Sequence, residues 1–376
     1  MKTRAAVLYE LAKPAPYAES CALEVDEVEL DGPGPGQALI EMVSAGLCHS
    51  DLSVIDGSRP RPLPMVMGHE AAGIVREVGA GVADLLPGDH VVFSFLPMCG
   101  RCVACTAGRP TQCEAGARAN LAGCLLDGTR RFRNARGQTL HHHLGVAAFS
   151  QYTVAMRESL IRIDPAVPLE TAALYGCAII TGVGAVVNTA RVAPGEAVAV
   201  WGLGGVGLSV VMGARLAGAY PIIAVDLLEH KLELARRLGA SHTVNAAMID
   251  PVEAVRELTG GGAHYCFEVV GSEHVLAQAF RATARAGTTV TVGLPGAQKM
   301  LSVPAVTITL EERVIRGSFM GSAVPARDIP RMIGLARAGM LPVEALLTRT
   351  LTLDEINAGF DALARGEAVR QVVRFT

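Results

Sequence analysis

The chain has 376 residues, half of them hydrophobic but only 4% aromatic, and its 33 basic and 36 acidic side chains leave a net charge of −3. That length suits two domains, each with its own mainly aliphatic core. The near balance of charge gives no electrostatic footing for nucleic acid or an anionic membrane, and the short cluster Arg130-Arg131-Phe132-Arg133 does not change this.

In chain order, the first half reads as short strands and glycine-rich loops with little helical periodicity. Ala5-Ala-Val-Leu-Tyr9 is of strand length and no secretory signal. Further strands are expected at Ala38–Val43, Gly73–Val78 and His90–Phe93, separated by turn signals such as Gly32-Pro-Gly-Pro-Gly36 and Pro87-Gly-Asp89. Between them stand Gly46-Leu-Cys48-His-Ser-Asp51 and Gly68-His69-Glu70. Taken singly, a cysteine here is an ordinary small core residue. Taken with Gly176-Cys177, the set offers two thiolates and one imidazole and leaves a fourth zinc position for water or substrate. Asp51 is a candidate acceptor for the His69 ring N–H, which fixes its tautomer. Glu70 is open between a further ligand-side acid and a buried charge partner.

Next comes Cys99-Gly-Arg-Cys102-Val-Ala-Cys105, followed by Cys113. The spacing C-x2-C-x2-C-x7-C supplies four thiolates, the donor set of a closed structural zinc site in a lobe spanning about 97–115. Gly100 and Gly108 bend this lobe, and Arg101 offsets its negative charge. The chain has nine cysteines, and its length argues for metal-bound thiolates in a reduced cytoplasm rather than a disulfide framework.

From about Ala178 strands alternate with helical stretches, which argues for a parallel sheet. The expected strands are Val198–Trp201, Ile222–Val225, His242–Val244, Tyr265–Val270 and Thr289–Val292, with helices such as Leu228–Leu238 and Val252–Leu258. The run Ala197–Gly213 has no charge, but glycines at 202, 204, 205, 207 and 213 break it, so it is a strand, a tight turn and a helix rather than a membrane span. The turn is Gly202-Leu-Gly204-Gly205-Val206-Gly207. Its first glycine permits the bend, its second the approach of a pyrophosphate, and its third the packing of helix on strand. The helix N-terminus adds free N–H groups for the phosphates. Asp226 follows Gly207 by nineteen residues and can accept from an adenosine ribose. It would repel a 2′-phosphate, and Leu227-Leu228 supplies no arginine to receive one, so NAD is expected over NADP. After about Phe319 a polar helical stretch leads to a strand, Gln371–Phe375, expected to return to the first domain. The expected division is thus 1–178, 179–319 and 320–376, with the nucleotide domain inserted.

Together these residues resemble the zinc-dependent medium-chain alcohol dehydrogenases, nearly end to end. The stretch Ala117–Phe149, with Leu125-Leu-Asp-Gly-Thr-Arg-Arg-Phe132, and then Phe149-Ser-Gln-Tyr-Thr153, looks like the animal-type and glutathione-dependent formaldehyde dehydrogenase branch. The resemblance implies an α/β fold in which a GroES-like, β-rich catalytic domain is interrupted by a Rossmann domain with a doubly wound parallel sheet. It implies NAD as cofactor and two zinc ions per chain, a catalytic one on Cys48, His69 and Cys177 and a structural one on Cys99, Cys102, Cys105 and Cys113. Ser50 matches the hydroxyl that passes on the alcohol proton. His49 and Arg370 match pyrophosphate contacts, Asp226 and Lys231 match ribose contacts, and Thr181, Val292 and Phe319 line the nicotinamide. The family's assembly is a dimer or tetramer through the Rossmann sheets.

Departures bear on the substrate. Where some members end the proton relay in histidine, this chain has Ser53. Where the formaldehyde branch carries an acid and an arginine at the pocket mouth, it has Arg59 and Ala117, beside Arg118. A rim of Arg59 and Arg118 favours a neutral or anionic substrate; the rival reading is a pair of solvated surface arginines. Phe95, His143, Leu144, Leu294 and Phe319 match a mainly apolar wall, which suits a medium-sized or aromatic alcohol or aldehyde. In Leu140-His-His-His143-Leu144 the histidines read as partly exposed loop residues rather than a third metal site. Three alternatives stay open: S-(hydroxymethyl)glutathione dehydrogenase, a dehydrogenase that keeps its cofactor and needs an external acceptor, and a non-catalytic zinc- and nucleotide-binding protein.

Overall fold

The computed structural model describes residues 1–375. Two compact units make up the chain: Met1–Cys177 with Val324–Ile333 and the residues from Val343 onward, and Ala178–Ala323 with Gly334–Pro342.

In the first unit the strands Lys2–Leu8, Glu24–Leu30, Phe132–Arg133, Thr139–His142 and Met65–Val66 close a small barrel. A second, seven-stranded sheet runs Leu160–Ile163, His90–Phe93, Glu70–Val78, Gln37–Gly46, Arg370–Arg374 and Leu347–Leu351, with Tyr152–Met156 also paired to Gln37–Gly46. Leu8, Ile40, Leu47, Met67, Phe93, Phe149 and Phe360 are among the residues of its main apolar core. The strand Arg370–Arg374 lies antiparallel to Gln37–Gly46, with Val372 opposite Gly46. The Leu47 N–H then donates to the Gln371 carbonyl at 2.9 Å, which carries Arg370 to the loop holding Cys48.

The second unit is built on six parallel strands in the order His242–Asn245, Ile222–Asp226, Val198–Trp201, Ala263–Glu268, Thr283–Thr291, Val314–Gly317. Numbered along the chain from Val198–Trp201, that order is 3-2-1-4-5-6, the doubly wound arrangement of dinucleotide folds. Its core is aliphatic, with Ala199, Ile223, Val225, Val244 and Val255 around one tryptophan, Trp201. The fold class is therefore the expected one: a β-rich domain and a parallel-sheet α/β domain. No single helix among the described residues is long and apolar enough to cross a membrane.

Several details differ from the expectation. The strand expected to reach Val270 stops at Glu268, whose carboxylate turns back to accept the N–H groups of Val270 at 2.7 Å and Gly271 at 2.6 Å. The strand expected from Thr289 already begins at Thr283 and passes through Ala286 at φ 58, with a register shift against its neighbour. A sixth strand, Val314–Gly317, and the helix Glu273–Ala282 had not been anticipated; Ser272 caps that helix by accepting from Val275 N–H at 3.5 Å. The helix Glu229–Leu238 starts one residue late because the Asp226 carboxylate holds the N–H groups of Leu227 and Leu228.

Candidate active site

Cys48 is the N-cap of the short helix His49–Ile55, which carries Ser50 and Asp51. The Asp51 carboxylate closes the helix start by accepting the Cys48 N–H at 3.2 Å. Cys177 follows the turn Ala173–Gly176; a side chain on Gly176 would stand 2.3 Å from the Phe93 carbonyl, so glycine lets this turn lie on the strand His90–Phe93. Together with His69, before the strand Glu70–Val78, the two cysteines place their ligand atoms within 4.8 Å of one another, all buried. Cys177 Sγ lies 3.5 Å from His69 Nε2.

The other ring nitrogen, Nδ1 of His69, meets Asp51 Oδ1 at 2.9 Å. Burial opposes a charged His69, but the adjacent carboxylate outweighs it and raises the imidazole well above its usual basicity. Burial likewise opposes the Asp51 charge, and the His69 and His143 rings overcome it, holding the carboxyl below its usual range. A hydrogen bond from the Cys177 thiol takes Cys48 far below the ordinary thiol range, and the same contact drives Cys177 up. Two thiolates and an imidazole in a buried, preformed group fit a zinc ion with one open position.

Behind the set, Glu70 is fully buried and its two carboxylate oxygens have no hydrogen-bond donor. Burial pushes its carboxyl up to about 7, against the Arg370 guanidinium 3.5 Å away. Arg370 also donates to the Leu47 carbonyl at 3.2 Å. Glu70 falls outside the three-ligand group, so the geometry favours the charge-partner side of the open question. Arg370, matched by resemblance to a pyrophosphate contact, has its side chain 5% exposed and its guanidinium facing Glu70.

His143 corrects an expectation. It is 2% exposed rather than a partly exposed loop histidine, with Nδ1 3.0 Å from Asp51 Oδ1, off hydrogen-bond alignment. Its ring stands edge-on to His69 at 5.5 Å, as the Phe95 ring does at 5.4 Å. His142 is buried as well, accepting the Arg131 N–H at 3.0 Å, because the strand Thr139–His142 closes the barrel. Leu144 follows in a left-handed conformation, φ 50, half-buried. Ser50 is half-buried, His49 exposed, and the Ser53 hydroxyl donates to the Ser50 carbonyl at 3.0 Å. Arg59 is half-buried. Arg118 is not drawn to this group: its side chain is 74% exposed and faces Glu114, one helical turn back.

In the cysteine lobe the Sγ atoms of Cys99, Cys102, Cys105 and Cys113 also lie within 4.8 Å of one another. The backbone N–H of Cys105 brings Cys102 down to about 6, while burial and the neighbouring Cys102 push Cys105 up to about 12. Four thiolates this close need a cation to coexist, and the tetrahedral donor set suits zinc.

In the second unit, Gly202 bends at φ 90, and a side chain on Gly207 would lie 1.8 Å from the Gly202 carbonyl. Space around Gly204 is open, and Gly204 leaves the helix Gly205–Leu216 without a side-chain cap, so its first N–H groups are available to an anion. Asp226 locks onto the turn by accepting the Leu203 N–H at 2.7 Å. Val206 and Lys231 are half-buried, as is Thr181. Val292 is nearly buried, and Leu294 and Phe319 are 48% and 38% exposed.

The sequence and fold place the chain in a known class. Residues 34–165 match the alcohol dehydrogenase GroES-like domain, and residues 205–338 match the zinc-binding dehydrogenase domain. The chain belongs to the zinc-binding medium-chain alcohol dehydrogenase family. It is 39% identical over 377 aligned positions, covering 99% of this chain and all of the relative, to the Mycobacterium tuberculosis protein named "Putative alcohol dehydrogenase D". Among solved structures it is similar to an alcohol dehydrogenase zinc-binding domain protein from Burkholderia ambifaria, at 35% identity and TM-score 0.94 over 100% of this chain and 99% of the other. It is also similar to benzyl alcohol dehydrogenase from Acinetobacter calcoaceticus, at 31% identity and TM-score 0.93 over the whole of both chains.

Proposed function

We propose that this chain is an NAD-dependent alcohol dehydrogenase with one catalytic and one structural zinc, acting on medium-sized or aromatic primary or secondary alcohols and their aldehydes. The observation that carries the reading is the buried Cys48, His69, Cys177 group with Asp51 on the far side of the imidazole. In this reading residues 1–178 and 320–376 do the chemistry and 179–319 hold the nucleotide. When bound, zinc supplies Lewis acidity to a hydroxyl or carbonyl oxygen and the nicotinamide supplies the hydride acceptor. Asp51 holds His69 with its Nε2 toward the thiols, and Phe95, His143 and Leu144 keep water from the reacting carbon. The relatives named for alcohol and benzyl alcohol support a small alcohol substrate of this size. Arg59, and an Arg118 turned to solvent, weigh against the glutathione conjugate of the formaldehyde branch.

The open edge strand Val314–Gly317, with exposed Met300, Val306, Ile308, Leu310 and Val314 around it, supports a homodimer formed through the nucleotide domains. Six of the nine cysteines stand in the two candidate metal groups, where the thiols must stay reduced to bind a metal, and this supports a reduced cytoplasmic setting.

The test is NADH formation by zinc-replete protein across ethanol, hexanol, octanol, benzyl alcohols, ω-hydroxy acids, and formaldehyde with glutathione. Turnover of the larger alcohols supports the reading, and turnover of the glutathione mixture alone defeats it.

Ser50 is the proton carrier in this scheme, because its hydroxyl is not committed to the backbone as the Ser53 hydroxyl is. Ser50→Ala is expected to lower kcat by about 10²-fold or more, the usual worth of a proton-transfer group. Ser53→Ala should cost far less, and equal losses in steady-state rates would refute the assignment.

Asp226 sets the nucleotide. Asp226→Asn keeps an acceptor for the Leu203 N–H but removes the charge. We expect kcat/KM with NAD to fall by roughly tenfold to a hundredfold, the range for a charged hydrogen bond, while the preference for NAD over NADP narrows. A parent protein that already favours NADP would contradict it.

A further inference from the structure

Arg61 was singled out by no motif, yet its setting is unusual for an arginine. It lies on the loop 56–64, which leaves the helix bearing Ser50 and Asp51 and enters the strand Met65–Val66. That strand pairs in parallel with Thr139–His142, and the Pro64 carbonyl accepts the His141 N–H at 2.8 Å. The loop is therefore tied alongside the segment that delivers His143 to Asp51.

The Arg61 side chain is half-buried, and its Nε is fully buried with no hydrogen-bond acceptor. Among the described residues neither Arg59 nor Arg61 forms an ion pair, although buried arginines are ordinarily paired. The other candidate cations are taken: Arg370 faces Glu70, and Arg118 faces Glu114. Burial and the like charge of Arg59 both work against the Arg61 guanidinium. The strand that this loop enters lies beside the one that ends at His142, next to the His143 that meets Asp51. A guanidinium edge buried without an acceptor, two residues from a second arginine that has no acid, on a loop tied alongside the His143 segment, makes a receptor for an anion. The edge formed by Nε–H and a neighbouring Nη–H matches the two oxygens of a carboxylate.

We propose that Arg61, with Arg59, receives a carboxylate at the far end of the substrate, so that the preferred alcohols are hydroxy acids and the preferred aldehydes are aldehyde acids. This rests on the reading of the Cys48, His69, Cys177 group as the place where the hydroxyl reacts. Arg61 touches the substrate away from the reacting atoms, so its effect falls on KM and binding rather than on kcat.

The experiment measures calorimetric binding of ω-hydroxyhexanoate and of hexanol to the zinc-replete protein with NADH, together with steady-state oxidation of both with NAD. The wild-type protein is expected to bind the hydroxy acid about tenfold or more tightly than hexanol, as one charge-assisted pair allows. Arg61→Gln removes that preference, Arg61→Lys restores part of it, and Arg118→Gln, with the same loss of charge, retains it. Equal binding of the two probes by the wild-type protein, or a preference that survives Arg61→Gln, overturns the proposal. Oxidation by the wild-type protein reads the reaction class separately: absence of turnover with both probes would defeat the alcohol dehydrogenase reading while the binding comparison still decides the role of Arg61.

Discussion

Cys48→Ala is expected to remove one zinc per chain and to lower alcohol oxidation by at least about 10³-fold, the scale of several kcal/mol of charge stabilisation supplied by a metal. The thiol stands at the N-cap of the helix His49–Ile55 and within 4.8 Å of the other two ligand atoms, so its removal takes one of the three ligands from the group. His69 stays anchored to Asp51 at 2.9 Å, and Cys177 stays on its turn, which keeps the surrounding core in place. The loss is therefore one of chemistry, and the unfolding midpoint should shift little. Metal analysis, circular dichroism and NADH formation on one preparation decide the matter. A variant that keeps both zincs, or that turns over hexanol at the parent rate, would remove this group from the mechanism.

Legibility in the sequence followed the distance over which each feature is assembled. The cysteine lobe and the glycine turn are local: ligands or glycines a few residues apart announce their geometry, because the chemistry constrains their spacing. The strands of the nucleotide domain were readable because each is a short buried apolar run between turn signals, although Glu268 ends one early by bending its carboxylate onto the next N–H groups. Features that depend on the barrel closing were not readable. The three-histidine run is polar in sequence, yet the strand Thr139–His142 buries His142 and brings His143 to Asp51. The Arg370–Glu70 contact joins positions 300 residues apart and exists only because the C-terminal strand pairs with Gln37–Gly46. Arg61 gave no signal, since an arginine between prolines is an ordinary surface loop until Pro64 is hydrogen-bonded to His141. The edge strand Val314–Gly317 was missed for a related reason: only Ile315 on it is even half-buried, so the apolar pattern that betrays a strand is weak there.

Cys113→Ser should give the opposite signature to Cys48→Ala, a loss of stability with much of the chemistry retained. Cys113 is fully buried, and its Sγ accepts the N–H groups of Cys99 and Gly116, both at 3.4 Å, so one atom joins the start of the lobe to the helix Glu114–Ala122. A serine oxygen is a harder and less readily ionised donor than a thiolate, and the remaining three sulfurs are left without a fourth partner. Structural zinc sites contribute about 10–16 kcal/mol to folding in small peptides, so even a partial loss is large beside the net stability of a domain. We expect one zinc fewer per chain and an unfolding midpoint lowered by roughly 5 °C or more, because a few kcal/mol moves the midpoint of a large domain by several degrees. The lobe does not contribute to the Cys48, His69, Cys177 group, so kcat per folded, metal-loaded molecule should stay close to that of the parent. If zinc content and midpoint are both unchanged, the lobe is a cluster of free thiols. If kcat instead collapses while the midpoint holds, the two metal roles are reversed.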